Sequence, residues 1–342
     1  MTPGTDHLIC MKERSSCQWD KWSVPGVFLA LAILLCCAPA FAQQKFPSRT
    51  VTLVVPYPPG GSNDTFAREL GKKLSDTWKI PVIIDNRPGA GGNIGAAAVS
   101  RAAPDGYTLC LLSSSFTTNA AIQPDLPFDP ITGFSPVAMV AKGPMILSVS
   151  NHVPAKTTLE LFALARREPG KLNFASSGQG STNHFATELL MGAAQIKMTH
   201  VPYKGMSPAV TDVIGGHVDV LIASAPSIYQ QVKAGKVRGL GVTSKGPSQV
   251  VPDLAPLSQM GATGYSFELW WGILAPPHTP PEIVAQVNAD VNRILATPEM
   301  KAVFLREGAE PAIMSPAQFA ATIRNEIDGW KKVAKDSNIK AE

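Results

Sequence analysis

Cysteine is scarce where it would matter. Four of the five cysteines, Cys10, Cys17, Cys36 and Cys37, fall in the first 37 residues, and beyond them only Cys110 remains. A chain processed past that region has no internal disulfide and must be held by burial alone. Cys110 lies in the apolar run Tyr107-Thr108-Leu109-Cys110-Leu111-Leu112 and is expected as a small core residue. Metal-binding spacing is also missing: His7, His152, His184, His200, His217 and His278 form no His-x-x-x-His pair, so no metal site is expected. Charged residues are only 16% of the chain, and no basic stripe interleaved with aromatics occurs, which argues against a nucleic-acid partner. The net charge of +4 suits a small anionic ligand.

Long apolar runs are limited to one, Val24 to Cys37, preceded by Lys12, Arg14 and Lys21 and ending at Ala40-Phe41-Ala42. A basic flank, a short apolar core and an A-x-A site predict a cleavable export signal over residues 1–42, with Gln43 the first residue of a periplasmic protein. The region before the apolar run is long for such a signal, which leaves Met1 and Met11 both open as the start. Leu35 and Cys36, standing before Cys36 and Cys37, are not the small residues a lipoprotein site needs. The mature chain is expected to be soluble, monomeric and of two-domain length.

Short apolar runs alternate with helix-like segments. Strands are predicted at 51–55, 82–85, 108–112, 145–149, 172–175, 218–223 and 240–242, and helices at 64–78, 93–102, 159–167 and 185–194. The tail at 283–295, 298–305 and 316–333 reads as helical, each segment introduced by proline. Phe66, Leu70, Leu74 and Trp78 share one helix face and are expected in the core. The alternation predicts an α/β fold of two lobes with mainly parallel or mixed sheets. Lobe 1 is expected over 43–144 and 267–342 and lobe 2 over 145–266, with a ligand cleft between them.

Two loops carry the chemistry. Gly61-Ser62-Asn63-Asp64-Thr65-Phe66-Ala67-Arg68-Glu69-Leu70 aligns with Gly180-Ser181-Thr182-Asn183-His184-Phe185-Ala186-Thr187-Glu188-Leu189, and both follow an apolar strand and open a helix. Each would bring free backbone amides and the positive end of a helix dipole to the edge of its sheet. Residues 57–64 and 175–183 contain no lysine or arginine, and the P-loop spacing is absent. A carboxylate, which needs only a few oriented donors, fits better than a nucleotide. Glycines that only turn the chain and serines that only cap helices are the plainer reading of either loop alone.

Asn86-Arg87-Pro88-Gly89-Ala90-Gly91-Gly92-Asn93-Ile94-Gly95 fails the dinucleotide spacing, since Ile94 stands where the third glycine belongs, and no cofactor is expected. Ser177 or Ser181 with His184 keeps an exported serine hydrolase open as the alternative, although no G-x-S-x-G elbow exists.

The blocks PYPPGGSNDTFAR, DNRPGAGGNIGAAAVSRAAPDGYTL, LNFASSGQGSTNH, HVPYKGMSPAVTDVIGGHVDV and WWGILAPPHTPPEIVAQVN resemble the Bug family of periplasmic solute-binding receptors, the binding components of tripartite tricarboxylate transporters. The resemblance runs from about Phe46 to the carboxyl terminus. It implies a Venus flytrap, type II-like, that binds a di- or tricarboxylate, an amino acid or an aromatic acid without catalysis. The partner it implies is a membrane permease or a sensor protein. By resemblance the ligand-binding residues are Tyr57, Gly60, Gly61, Ser62, Asn63 and Asp64 in the first lobe. Ser177, Gly178, Ser181, Thr182 and Asn183 form the second loop, and Tyr203 walls the second lobe. Gln179 and the run Ser181-Thr182-Asn183 depart from the family pattern, which leaves the identity of the acid open.

Overall fold

The computed structural model describes residues 46–340, so the export signal, its cleavage site and the choice between Met1 and Met11 lie outside the described residues. Strand β1 (Val51–Val55) leads into helix α1 (Ser62–Trp78), followed by β2 (Val82–Asn86), α2 (Asn93–Ser100), β3 (Thr108–Ser113), α3 (Ser115–Ile122) and the long strand β4 (Ser135–Val149). Then come α4 (Thr158–Arg167), β5 (Asn173–Ser176), α5 (Thr182–Ala194), β6 (Thr199–Pro202), α6 (Met206–Gly215), β7 (Val220–Ser224), α7 (Ala225–Lys233) and β8 (Arg238–Val242). The chain returns through β9 (Glu268–Ala275) to α8 (Pro281–Leu295), α9 (Pro298–Arg306), β10 (Glu310–Pro311) and α10 (Pro316–Asp336).

The strands run in the order β2-β1-β3-β9-β4-β7-β5-β6, with β10 and β8 also paired to β4. β1 is parallel to β2 and β3, and β5 is parallel to β6 and β7, while β9 and β4 run antiparallel to their neighbours. This is an α/β two-lobe fold with a mixed sheet in each lobe. β4 crosses between the lobes: its residues 135–144 pair with β9, and Met145–Val149 pair with β7 and β8.

The strands are apolar throughout because both faces are covered. In β3, Leu109 and Leu111 enter one core cluster and Cys110 and Leu112 the cluster on the opposite face. In β7, Val220 and Ile222 face one cluster and Leu221 and Ala223 the other. Cys110 is fully buried, as expected of a core residue, and burial pushes its thiol pKa up. On α1, Phe66, Leu70 and Leu74 are buried, and Trp78 is partly exposed with its Nε1 donating to Asp290 at 2.7 Å.

Several elements differ from the sequence expectation. α1 begins at Ser62 rather than 64 and α2 ends at Ser100 rather than 102, shifts within the ordinary scatter of helix ends. β4 starts ten residues earlier than the predicted 145–149 strand, because Gly143-Pro144 reads as a break although an antiparallel strand continues through it. The short helices α3, α6 and α7 have no counterpart in the sequence reading.

Candidate functional site

Two parallel pairs, β1 with β3 and β5 with β7, run in opposite directions and end at one place, and each strand hands the chain to a helix: β1 to α1, β3 to α3, β5 to α5 and β7 to α7. A cavity of about 210 Å³ lies where these helix starts converge. Ser62 and Asn63 reach it from α1, Ser113, Ser114 and Ser115 from the β3–α3 junction, Thr182 from α5, and Ser224 and Pro226 from the β7–α7 junction. Leu269 and Trp271 of β9 close it, and among the described residues no charged side chain lines it. Phe66 stands edge-on to Trp271 at a centroid distance of 4.9 Å, so the core of α1 sets the angle of the aromatic wall.

None of these four helices carries a side-chain cap, whereas α4, α9 and α10 are capped by Thr157, Thr297 and Ser315. Absence of a cap is not distinctive alone, since α2, α6 and α8 have none either. Convergence is what matters: four sets of first-turn amides and four positive dipole ends face one small cavity. Two buried side-chain atoms of the lining, Asn63 Oδ1 and Ser114 Oγ, also have no hydrogen-bond partner among the described residues, and neither has Asn183 Nδ2 next along from Thr182. Such atoms are rare in folded proteins.

The first loop is locked from behind by Asp64. Its carboxylate accepts from Gly60 N at 3.0 Å, Arg68 Nε at 2.9 Å and Asn86 Nδ2 at 3.0 Å. The hydrogen bond from Arg68 leads in holding this carboxyl below the usual carboxylate range. Asp64 therefore fixes the loop and is already supplied with donors. Gly60 has φ +89°, which suits glycine, but Gly61 has φ −87° and does not need to be glycine on backbone grounds. The Tyr57 hydroxyl joins a cluster with Ser113 Oγ at 3.0 Å and Ser115 Oγ at 2.8 Å, and burial raises its pKa.

In the second loop Thr182 lines the cavity and the other residues build the turn behind it. Gly178 and Gly180 have φ +131° and +71°. The Gly178 carbonyl accepts from Ser176 Oγ at 2.9 Å and Ser181 Oγ at 2.6 Å, and Ser177 Oγ donates to Asn183 Oδ1 at 2.9 Å. His184 Nδ1 accepts from Gly180 N at 3.1 Å, and its ring stacks on His200 at 3.8 Å. Neither Ser177 nor Ser181 is bonded to His184, the pairing a hydrolase would require. Tyr203 gives its hydroxyl to Asp212 at 2.6 Å and does not line the cavity; burial, with Asp212 beside it, pushes its pKa up to about 12.

Of the residues expected from the sequence, Ser62, Asn63 and Thr182 meet in the cavity. Tyr57 joins through the serine cluster, and Gly60, Asp64, Ser177, Gly178, Ser181 and Asn183 shape the two loops. Ser113, Ser114, Ser115, Ser224 and Trp271 were not expected. The signal for the first four is an apolar strand ending in serine before a helix, in Leu111-Leu112-Ser113-Ser114-Ser115 and Ile222-Ala223-Ser224-Ala225-Pro226.

The His200 ring backs the second loop through its 2.6 Å contact with Ser176 Oγ. Burial, then the charge of neighbouring His184, lowers its pKa to about 4. An unfolded histidine takes up its proton near 6.5, so the unfolded chain is favoured as pH falls from about 6.5 to about 4. Urea unfolding is expected to show about 1–2 kcal/mol less stability at pH 4.5 than at pH 7, allowing for partial exposure of the ring. His200→Gln should flatten that part of the profile, and an unchanged slope in the variant would remove His200 as its source.

A family model described as "Tripartite tricarboxylate transporter family receptor" matches residues 66–339. Protein BugT of Bordetella pertussis is 33% identical over 320 residues, covering 93% of this chain and 97% of that protein. A structure of an R. palustris protein with adipate shares 35% identity at a TM-score of 0.74, covering 86% of this chain and 99% of the other. MatC from Rhodopseudomonas palustris with bound malate shares 32% identity at a TM-score of 0.69, covering 84% of this chain and 99% of the other.

Proposed function

The chain belongs to the tripartite tricarboxylate transporter family of receptors, and from that premise we propose that the cleft cavity captures a small dicarboxylate outside the cytoplasm. The observation that carries this reading is the convergence of four helix N-termini on a cavity lined by hydroxyls and by no charged side chain. A volume of about 210 Å³ holds about seven water-sized groups at ~30 Å³ each, the scale of a short-chain diacid. Structures of relatives with adipate and with malate favour the same class.

One carboxylate takes the first-turn amides of α1 and α3 with the serine hydroxyls of 113–115. The other takes the starts of α5 and α7 with Thr182 and Ser224. Fixed dipoles replace the water lost on binding without the cost of burying a lysine or arginine beside the acid. Ser114 Oγ brings a donor, and Asn63 Oδ1 accepts from a ligand hydroxyl or a water.

The lobes are taken as 43–144 with 267–342, and 145–266, supported by the change of β4 partner after Pro144. They close on the ligand as a hinge. The chain works without turnover, because the nitrogen of His184 nearest the second loop is occupied by an amide. A membrane permease or a sensor protein then reads the closed monomer.

Calorimetric titration with mono-, di- and tricarboxylates, including malate and adipate, tests this. One-to-one binding of a diacid that is recovered unchanged is expected. Turnover that His184→Ala abolishes would replace the receptor by the hydrolase. Intact-mass analysis of exported protein is expected to give a chain starting at Gln43; a lipid-modified Cys37 would overturn free periplasmic release.

A further inference from the structure

A second and larger cavity, about 760 Å³, lies on the opposite face of β9 from the ligand cleft. Trp271 points to the cleft and its neighbour Trp270 to this cavity, as successive residues of a strand must. Its walls come from β4, β9, α5 and α10. Nothing in carboxylate capture uses it.

Two observations point to an occupant. Trp330 of α10 lines the cavity and is only 8% exposed, yet its Nε1 is buried without a hydrogen-bond partner among the described residues. The neighbouring Glu326 carboxylate accepts through Oε2 from Thr117 Oγ1 and Trp270 Nε1, each at 2.8 Å, and the Trp330 indole stands near enough to help hold its charge. The Trp330 N–H thus has Glu326 nearby without a well-formed hydrogen bond to it, and an acceptor on an occupant would complete one.

Gly329 stands beside Trp330 inside the long helix α10, where glycine is disfavoured against alanine. A Cβ there would meet nothing within 4 Å. No close approach requires this glycine, and its effect is to keep that wall of the cavity low.

The lining carries two lysines and two glutamates, and among the described residues the rim offers one unpaired cation. Lys142 is held by Glu268 at 3.2 Å, while Lys245 is exposed and has no ionic partner among the described residues.

We propose that this cavity is a second binding site, for a small organic anion with a flat aromatic body. The body lies against Trp270, Trp330, Phe267 and Met139, the anionic group meets Lys245 at the rim, and an acceptor oxygen takes the Trp330 Nε1–H. Volume and lining suit such a ligand, since small-molecule sites of this size combine aromatic walls with a few placed polar groups.

Anilinonaphthalene sulfonate, an aromatic anion whose emission rises in apolar surroundings, is the probe. Titration of the folded mature protein is expected to show one saturable site. Gly329→Leu fills the cavity with a better helix former and should weaken dye binding at least about tenfold, with the unfolding midpoint unchanged or raised. Lys245→Glu should weaken it about threefold or more, while carboxylate titrations at the cleft stay as in the unaltered protein. Absence of saturable binding, or dye affinity equal in Gly329→Leu and the unaltered protein, overturns the proposal. So does loss of the dye in a cleft-blocking Thr182→Trp variant, which would place it in the first cavity.

Discussion

Gly178→Val is expected to lower carboxylate affinity at least about 100-fold, ~2.7 kcal/mol, while leaving the ligand-free protein folded. Gly178 has φ +131°, a region that a β-branched residue does not enter without strain. The added Cβ itself would fit, since its nearest neighbour is the Tyr203 carbonyl oxygen at 3.5 Å. The effect therefore runs through the backbone. Turning the residue to an allowed conformation moves its carbonyl away from Ser176 and Ser181, whose hydroxyls both end there. The start of α5, with Thr182, then loses its aim at the cavity.

Gly180→Val acts at φ +71° and adds a second obstacle, because its Cβ would fall 2.2 Å from Ile122 Cδ1 at the end of α3, across the mouth of the cleft. Gly61→Ala is the contrast: φ −87° and open space around the Cβ leave both loop and fold unchanged. Calorimetry with a bound diacid and thermal melts of the ligand-free variants measure the two effects separately. Wild-type affinity in Gly178→Val would defeat the backbone-amide account. Lys204→Ala serves as the charge control, since Lys204 is exposed and does not line the cavity, and it should slow association more than it weakens binding.

Half of this site was legible in the residues and half was not, for physical reasons. β1 and β5 are followed by glycine-rich turns, and Gly61 to Leu70 resembles Gly180 to Leu189 closely enough to pair the two loops. The equivalence is real in space: Phe66 and Phe185 each lie fully buried one turn into their helix. The β3–α3 and β7–α7 junctions carry no such punctuation. Ser113-Ser114-Ser115-Phe116-Thr117-Thr118-Asn119 has the composition of a loop, and α3 is only eight residues long, so periodicity had little to act on. Trp271 was hidden for the opposite reason. β9 is apolar on both faces, and alternation, the signal that separates the two sides of a strand, is lost where both are buried.

Asp64 shows a third limit. Its place at the start of α1 suggested a ligand contact, but its role depends on Asn86 at the end of β2, which sequence spacing does not bring to it. Pairing β1 with β2, Val55 beside Asn86, does.

Ser114→Ala is expected to move affinity and stability in opposite directions. Ser114 is 3% exposed, its Oγ has no hydrogen-bond partner among the described residues, and it sits at the N-cap of α3 without making a cap hydrogen bond. Its backbone is engaged instead, with the amide donating to Trp270 O at 3.0 Å and the carbonyl accepting from Thr117 Oγ1 at 2.8 Å. Alanine keeps those bonds and removes only the hydroxyl. A buried hydroxyl without a partner costs the folded state about 1–3 kcal/mol, so the ligand-free variant should be more stable than the parent by roughly 1 kcal/mol. In the proposed complex the same hydroxyl donates to a carboxylate, and a hydrogen bond to a charged group contributes about 1.5–3 kcal/mol, so affinity should fall about 10- to 100-fold. Denaturant melts without ligand and calorimetry with it read the two quantities on one protein. A variant that is less stable and binds as tightly as the parent would mean that Ser114 serves the fold and leaves recognition to the backbone amides. Gain of stability with loss of binding is the mark of a polar group kept for its ligand at a cost to the empty protein.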